Sequence, residues 1–211
     1  TANLPGAQRF GSIGRPLEGV QMRLDSDGEI LIRGGQVFHG YHKDDQATRE
    51  SFTEDGYFRT GDIGKVDDDG YFYIVDRKKD ILITAGGKNV APQNIENLLK
   101  SDARISQVVV VGDRQPYLAA LIAIAPELRK DKSASELIFI VDGIVKKRNE
   151  ELASYEQIKK FRLLPADLTQ ETGELTPTLK VKRKVVTDKY KSLIDEMYAE
   201  AKAPARVSAS P

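Results

Sequence analysis

Two apolar runs, Gln107-Val108-Val109-Val110-Val111 and Tyr117-Leu118-Ala119-Ala120-Leu121-Ile122-Ala123-Ile124-Ala125, constrain the fold of this 211-residue chain more than any other feature. Neither alternates polar with apolar residues, so neither suits a half-exposed sheet. A continuous Val/Ile/Ala run bounded by turn residues predicts a strand buried on both faces, and Gly112-Asp113 between the runs predicts a turn that pairs them at the centre of a small sheet. Such a sheet needs helices to cover it. Pro92 is suited to the first turn of one, with Ile95, Leu98 and Leu99 as its buried stripe. A long helix within residues 135–161 and a terminal one over about 185–201, carrying Leu193, Ile194, Met197 and Tyr198, supply the rest. Both runs are far shorter than the roughly 20 residues of a membrane-spanning helix, so no transmembrane segment is expected.

Upstream the grammar differs. Between Gly19 and Gly70, short runs are split by Asp27-Gly28, Asp55-Gly56 and Asp69-Gly70, which predicts β structure with one insertion at residues 44–52, where Asp44 can cap a short polar helix. The expected fold class is therefore α+β. Residues 1–75 form the β-rich part, 76–202 a lobe with a short sheet covered by helices, and 203–211, mostly small residues and Pro, a disordered tail.

Composition narrows the chemistry. Lys plus Arg and Asp plus Glu each number 32, so any anion site must be local and no global field points to nucleic acid. The basic cluster 180–191 lacks the interleaved aromatic residues a nucleic-acid platform needs. Absent cysteine excludes disulfides, thiolate metal sites and a Cys nucleophile, and fits a reducing cytoplasm. His39 and His42 have no ligand partners in a convincing pattern, so no metal site is expected. The opening Thr1-Ala2-Asn3, without initiator Met or leader, reads as the start of a fragment.

Four segments could carry function, each beside a plainer reading. Tyr57-Phe58-Arg59-Thr60-Gly61-Asp62 delivers a carboxylate where the chain must turn, able to accept both hydroxyls of a vicinal diol or simply to make a turn. Asp76-Arg77-Lys78-Lys79-Asp80 ends an aromatic strand in five charges, a hinge or anion site, or a solvated loop; Arg77 has the planar fork that suits phosphate or ribose oxygens. Thr84-Ala85-Gly86-Gly87-Lys88-Asn89 fails the phosphate-loop pattern, because Leu82 and Asn89 occupy positions that need Gly and Ser or Thr. It remains a tight turn where a ligand can approach bare backbone, near the positive end of a helix and a Lys, or a structural turn. Glu171-Thr172-Gly173-Glu174-Leu175-Thr176-Pro177-Thr178-Leu179-Lys180-Val181-Lys182-Arg183-Lys184 runs from turn residues into a basic cluster, a solvated helix start or one catalytic Lys with supporting charges.

Together, in order and wording, these segments resemble the adenylate-forming (AMP-binding) acyl-CoA synthetases, a family that includes luciferases and peptide-synthetase adenylation domains. Gly11-Ser12-Ile13-Gly14-Arg15-Pro16-Leu17, Gly28-Glu29-Ile30-Leu31-Ile32-Arg33-Gly34 and Gly40-Tyr41 extend the resemblance over nearly the whole chain. The wording of residues 76–89 and 175–183 is most similar to that of long-chain fatty-acid–CoA ligases.

The resemblance implies that Asp62 holds the ribose hydroxyls of ATP or AMP, that Arg77 assists, and that Ile74 lines the nucleotide pocket. It implies that Asp76 is the hinge about which a mobile carboxyl-terminal lobe swings. One face of that lobe would bring Lys180 to the reacting atoms, the other Gly86, Gly87 and Lys88 to the pantetheine of CoA. ATP, Mg2+ and CoA are the implied cofactors and a fatty acid the substrate; a cytoplasmic location is expected, and peripheral membrane contact is left open. Many family members carry Gly before the final Lys, where this chain has Leu179, so Lys182 competes with Lys180 for the role. The family's Ser/Thr/Gly-rich phosphate loop and Tyr-Gly-x-Thr-Glu motif are not in this sequence, so the chain alone is expected to be inactive. Alternatives are an adenylating enzyme with a carrier-protein acceptor and a non-catalytic binding module. Much of residues 1–75 is expected to expose apolar surface or to dimerise.

Overall fold

A computed structural model describes residues 1–202, with side chains to 199; the expected tail at 203–211 lies outside the described residues. The chain forms two compact units, Thr1–Ile81 and a second that begins at Leu82. The fold class is α+β.

The first unit is an antiparallel four-stranded sheet in sequential order. Its elements are β1 (Gln21–Leu24), β2 (Glu29–Arg33), the short helix α1 (Asp45–Ser51), β3 (Phe58–Val66) and β4 (Phe72–Arg77). Asp44 caps α1, its carboxylate accepting from the Ala47 N–H. Phe38, Tyr41, Phe52 and Phe58 pack edge to face beside that helix. Arg9 reaches Asp67 at 2.6 Å and Asp69 at 2.7 Å, which ties the opening segment to the turn between β3 and β4. Burial pushes the Asp67 carboxyl up, but the Tyr71 N–H, Arg9 and the Tyr73 hydroxyl outweigh it and hold it at about 2. Phe10, Leu4 and Ile74 are exposed, Phe10 fully.

In the second unit a small hairpin, β5 (Leu82–Ile83) with β6 (Asn89–Val90), precedes α2 (Pro92–Lys100). Pro92 occupies the first turn of α2 and Ile95 and Leu99 are buried. A three-stranded sheet follows: β7 (Ile105–Val111), β8 (Leu118–Ile124), then α3 (Pro126–Arg129), α4 (Ala134–Asn149) and β9 (Ile158–Leu163). The chain closes with α5 (Arg183–Lys189) and α6 (Lys191–Lys202). One sheet face packs on α2 and α4 through Val108, Val110, Ala120 and Ile122 against Ile95, Leu99, Val141 and Val145. The other packs on α5 and α6 through Val109, Leu121 and Ala123 against Val186, Tyr190, Met197 and Tyr198. Both faces are covered, which is why β8 is buried at every position and reads as an unbroken apolar run.

Two sequence expectations need correction, the paired central strands and the single terminal helix. The strand order is β7-β8-β9, so only β8 is central. Side chains cover the β7 edge: Glu96 accepts from the Val110 N–H at 2.8 Å, and Arg183 donates to the Val110 carbonyl at 2.8 Å. The long helix expected within residues 135–161 is α4, and the side-chain amide of its last residue, Asn149, pairs with both backbone groups of Ile158 and starts β9, parallel to β8. The terminal helix is two helices, broken at Tyr190.

Candidate functional site

In the first unit the structure brings Asp62 and Arg77 together. They are direct partners across β3 and β4, and Arg77 Nε lies 2.9 Å from Asp62 Oδ1 while its Nη1 donates to the Thr60 carbonyl at 3.2 Å. Gly61 makes the local path possible: at φ +71° it occupies the left-handed region that glycine enters without strain. Its N–H donates to Glu29 Oε1 at 2.8 Å, and the Thr60 hydroxyl donates to the Ile30 carbonyl at 2.6 Å. Beyond this pair the register slips, so that Ile63 faces Asp76, Gly64 faces Ile74 and Val75 is a bulge. Gly64 is required there, since a Cβ would sit 2.5 Å from Ile30 Cδ1 and 2.7 Å from the Tyr73 carbonyl oxygen. Asp76 is buried at 3% exposure and accepts from the Arg77 N–H at 2.7 Å. Ile74 is about half exposed, on the strand that carries both Asp76 and Arg77.

Glu29 is the member of this site that sequence reasoning missed. It is buried at 2% exposure and holds Gly61 through one oxygen and Lys78 Nζ through the other, at 2.8 Å. Lys78 also meets Asp27 at 2.6 Å; these contacts raise the Lys78 pKa and lower that of Asp27. The ligand oxygens of Asp25, Asp27 and Glu29 lie within 4.8 Å of one another, but Lys78 and Arg59 already hold this cluster, Arg59 at 3.2 Å from Asp25. The arrangement locks the start of the segment 78–80 to the sheet behind Asp62.

In the second unit Gly86, Gly87 and Lys88 form the exposed tip of the β5–β6 hairpin. Thr84 organises it: its carbonyl accepts from the Gly87 N–H at 2.8 Å, its Oγ1 accepts from the Lys88 N–H at 3.1 Å, and its own N–H donates to the Lys88 carbonyl at 3.0 Å. Gly87 takes φ +74°, and no atom would meet a Cβ built on it. The glycines thus present open backbone. The helix expected to start at Pro92 does so, after β6.

Lys180 lies on a second, separate turn. Leu175 and Val181 pair antiparallel, the Thr176 N–H donates to the Lys180 carbonyl at 2.8 Å, and the Lys180 N–H donates to Thr176 Oγ1 at 3.0 Å. Leu179 stands at φ +60°, a left-handed conformation where a non-glycine residue is strained. Lys180 is exposed; Lys182, also exposed, stands at the N-terminal boundary of α5 without a side-chain cap. The turn is anchored at both ends, by buried Glu174 and by Arg183, which pairs with Glu96 at 2.7 Å. Sequence reasoning assigned no task to Glu96 or Glu174. A Glu inside a helix or turn reads as solvated, and only the packed structure reveals the partners.

The candidate residues thus lie on the β3–β4 strand pair, at Asp62 and Arg77, and on two exposed turns, at residues 86–88 and at Lys180. The model of the AMP-binding enzyme C-terminal domain matches residues 79–202, and the chain belongs to that family. The long-chain-fatty-acid–CoA ligase FadD15 of Mycobacterium tuberculosis is 48% identical over 206 residues, covering 90% of this chain and 34% of the relative. The long-chain-fatty-acid–CoA ligase ACSBG2 of Gallus gallus is 32% identical, covering 97% and 32%. The chain therefore spans about a third of the length of the curated relatives it matches. Among solved structures, the adenylation domain of a carboxylate reductase from Mycobacterium chelonae superposes with a TM-score of 0.78 at 26% identity, covering 91% of this chain and 33% of that one. The corresponding domain from Segniliparus rugosus, in complex with AMP and a co-purified carboxylic acid, gives 0.73 at 28% identity, covering 90% and 32%. No described helix is long and apolar enough to cross a membrane.

Proposed function

We propose that this chain is the carboxyl-terminal portion of a long-chain fatty-acid–CoA ligase, which activates a fatty acid with ATP to an acyl-adenylate and passes the acyl group to CoA. The observation that carries the reading is the 48% identity to a long-chain fatty-acid–CoA ligase over a stretch that includes every candidate residue. Asp62 accepts the ribose hydroxyls, since a carboxylate has more acceptor capacity than its one bond to Arg77 uses, and Arg77 lies alongside to donate to ribose or phosphate oxygens. Ile74 lies against the nucleotide.

In the first step a carboxylate oxygen attacks the α-phosphorus and pyrophosphate leaves. The two reactants are anions, and Lys180 neutralises charge that develops between them. Magnesium, when bound, supplies further charge neutralisation at the phosphates; none of its ligands is assigned to this chain. In the second step the CoA sulfur attacks the acyl carbonyl and AMP leaves, with the pantetheine passing over Gly86 and Gly87 beside Lys88. The carboxyl-terminal lobe, residues 76–202, turns about Asp76 to serve both steps in a cytoplasmic enzyme.

The test is product analysis of the complete enzyme with a fatty-acid panel, ATP and either CoA or a phosphopantetheinylated carrier protein. Acyl-CoA as the product supports the reading, and the 211-residue chain alone gives negligible product. Acyl transfer to the carrier protein with none to CoA would overturn it.

A further inference from the structure

Glu174 is among the largest fully buried side chains, at 1% exposure, yet it carries a carboxylate that no step above uses. Its Oε1 accepts from Lys189 Nζ at 2.5 Å and from the Tyr190 hydroxyl at 3.2 Å. Its Oε2 accepts from the Thr172 hydroxyl and from the Thr169 N–H at 3.4 Å. Burial pushes this carboxyl up, but Lys189, Thr172 and Thr169 outweigh burial and hold it below the usual carboxylate range. The main chain of the same residue closes the turn that bears Lys180: the Glu174 carbonyl accepts from the Lys182 N–H at 2.7 Å, immediately outside the Leu175–Val181 bridge.

We infer that Glu174 is a positioning residue for Lys180: its side chain fastens the base of the lysine-bearing turn to the end of α5, so that the turn holds one orientation. The inference rests on the assignment of Lys180 to the adenylation step. A buried ion pair is a weak source of stability, because desolvation offsets the attraction, and an apolar residue of similar size commonly serves packing as well. What four directional bonds give that apolar packing does not is a fixed angle. The turn needs one, because its only cross-strand bridge is Leu175 to Val181 and its tip contains a strained Leu179. On the far side, Arg183 fixes the other end through Glu96 and the Val110 carbonyl. Residues 174 and 183 are thus both tied to packed elements, and Lys180 is held between them.

The two half-reactions separate positioning from general stability. In the complete ligase, Glu174→Gln lowers kcat for fatty-acid-dependent ATP–pyrophosphate exchange about 10²-fold, the cost of a misplacement near 1 Å. KM for ATP and the rate of acyl transfer from supplied acyl-adenylate to CoA stay at the unaltered values, and Lys180→Ala gives the same split. Tyr190→Phe, which deletes one bond to Glu174 and keeps the buried ring, shows the split in weaker form and covers the case where Glu174→Gln does not fold. Equal losses in both half-reactions would reduce Glu174 to a structural role and overturn the inference. So would unchanged exchange in a folded Glu174→Gln enzyme whose Lys180→Ala counterpart has lost it. If Lys180→Ala keeps exchange, the lysine assignment itself fails.

Discussion

Leu179 offers a sharp stability test because its backbone and its side chain make opposite demands. It stands at φ +60°, and its side chain is 63% exposed. In that region a Cβ crowds the following carbonyl at a cost of about 1–2 kcal/mol. Leu179→Ala and Leu179→Gly both discard the same partly buried side chain, so their difference isolates the Cβ. Glycine removes the strain and loses about 0.5–1 kcal/mol through the extra freedom of its unfolded chain. At mid-range the balance makes Leu179→Gly more stable than Leu179→Ala by about 0.75 kcal/mol, the reverse of their order in a helix or strand. Urea unfolding of the chain, followed by far-UV circular dichroism, measures the gap as a shift in midpoint at constant slope. An alanine variant as stable as the glycine variant would refute the strained geometry, and with it the picture of a turn that needs anchoring at both ends.

Further predictions follow from the ionic contacts. Asp67, in the first unit, and Asp102, in the second, are both held at about 2, well below the usual carboxylate range, Asp102 chiefly by Arg104. Depressed carboxyl pKa values give stability that is present above the unfolded value and lost as pH falls through the folded one, so circular dichroism should show unfolding between about pH 4 and pH 2. Arg9→Gln, which removes one partner of Asp67, moves that limb to higher pH; an unmoved limb would contradict the pairing. In the complete enzyme, Asp62→Asn raises KM for ATP about tenfold, the loss of one charge-assisted bond. Arg77→Lys keeps the charge and loses the fork, and has a smaller effect in the same assay; equal KM values for all three enzymes would remove the pair from the nucleotide site.

What could be read in the sequence followed from local rules. The two apolar runs identify β7 and β8 because burial on both faces leaves no polar position, and Asp44 and Pro92 mark helix starts by their own chemistry. What could not be read depended on distant partners. Lys159, Lys160 and Arg162 give β9 the look of a charged helix end, whereas Asn149 and the pairing with β8 make it a strand. The break at Tyr190 belongs with a hydroxyl bonded to Glu174, sixteen positions earlier. In the site, Asp62, Gly61 and the two exposed turns were legible as turn chemistry, but the acids behind them were not. Glu29, Glu96 and Glu174 are ordinary in a string and become specific when folding buries each against a cation.

The most direct measurement is ATP–pyrophosphate exchange by the complete enzyme in three forms: unaltered, Lys180→Ala and Lys182→Ala, each also assayed for acyl transfer from supplied acyl-adenylate to CoA. The account predicts that Lys180→Ala alone loses exchange while it retains acyl transfer. Exchange retained in Lys180→Ala, or lost instead in Lys182→Ala, would contradict it.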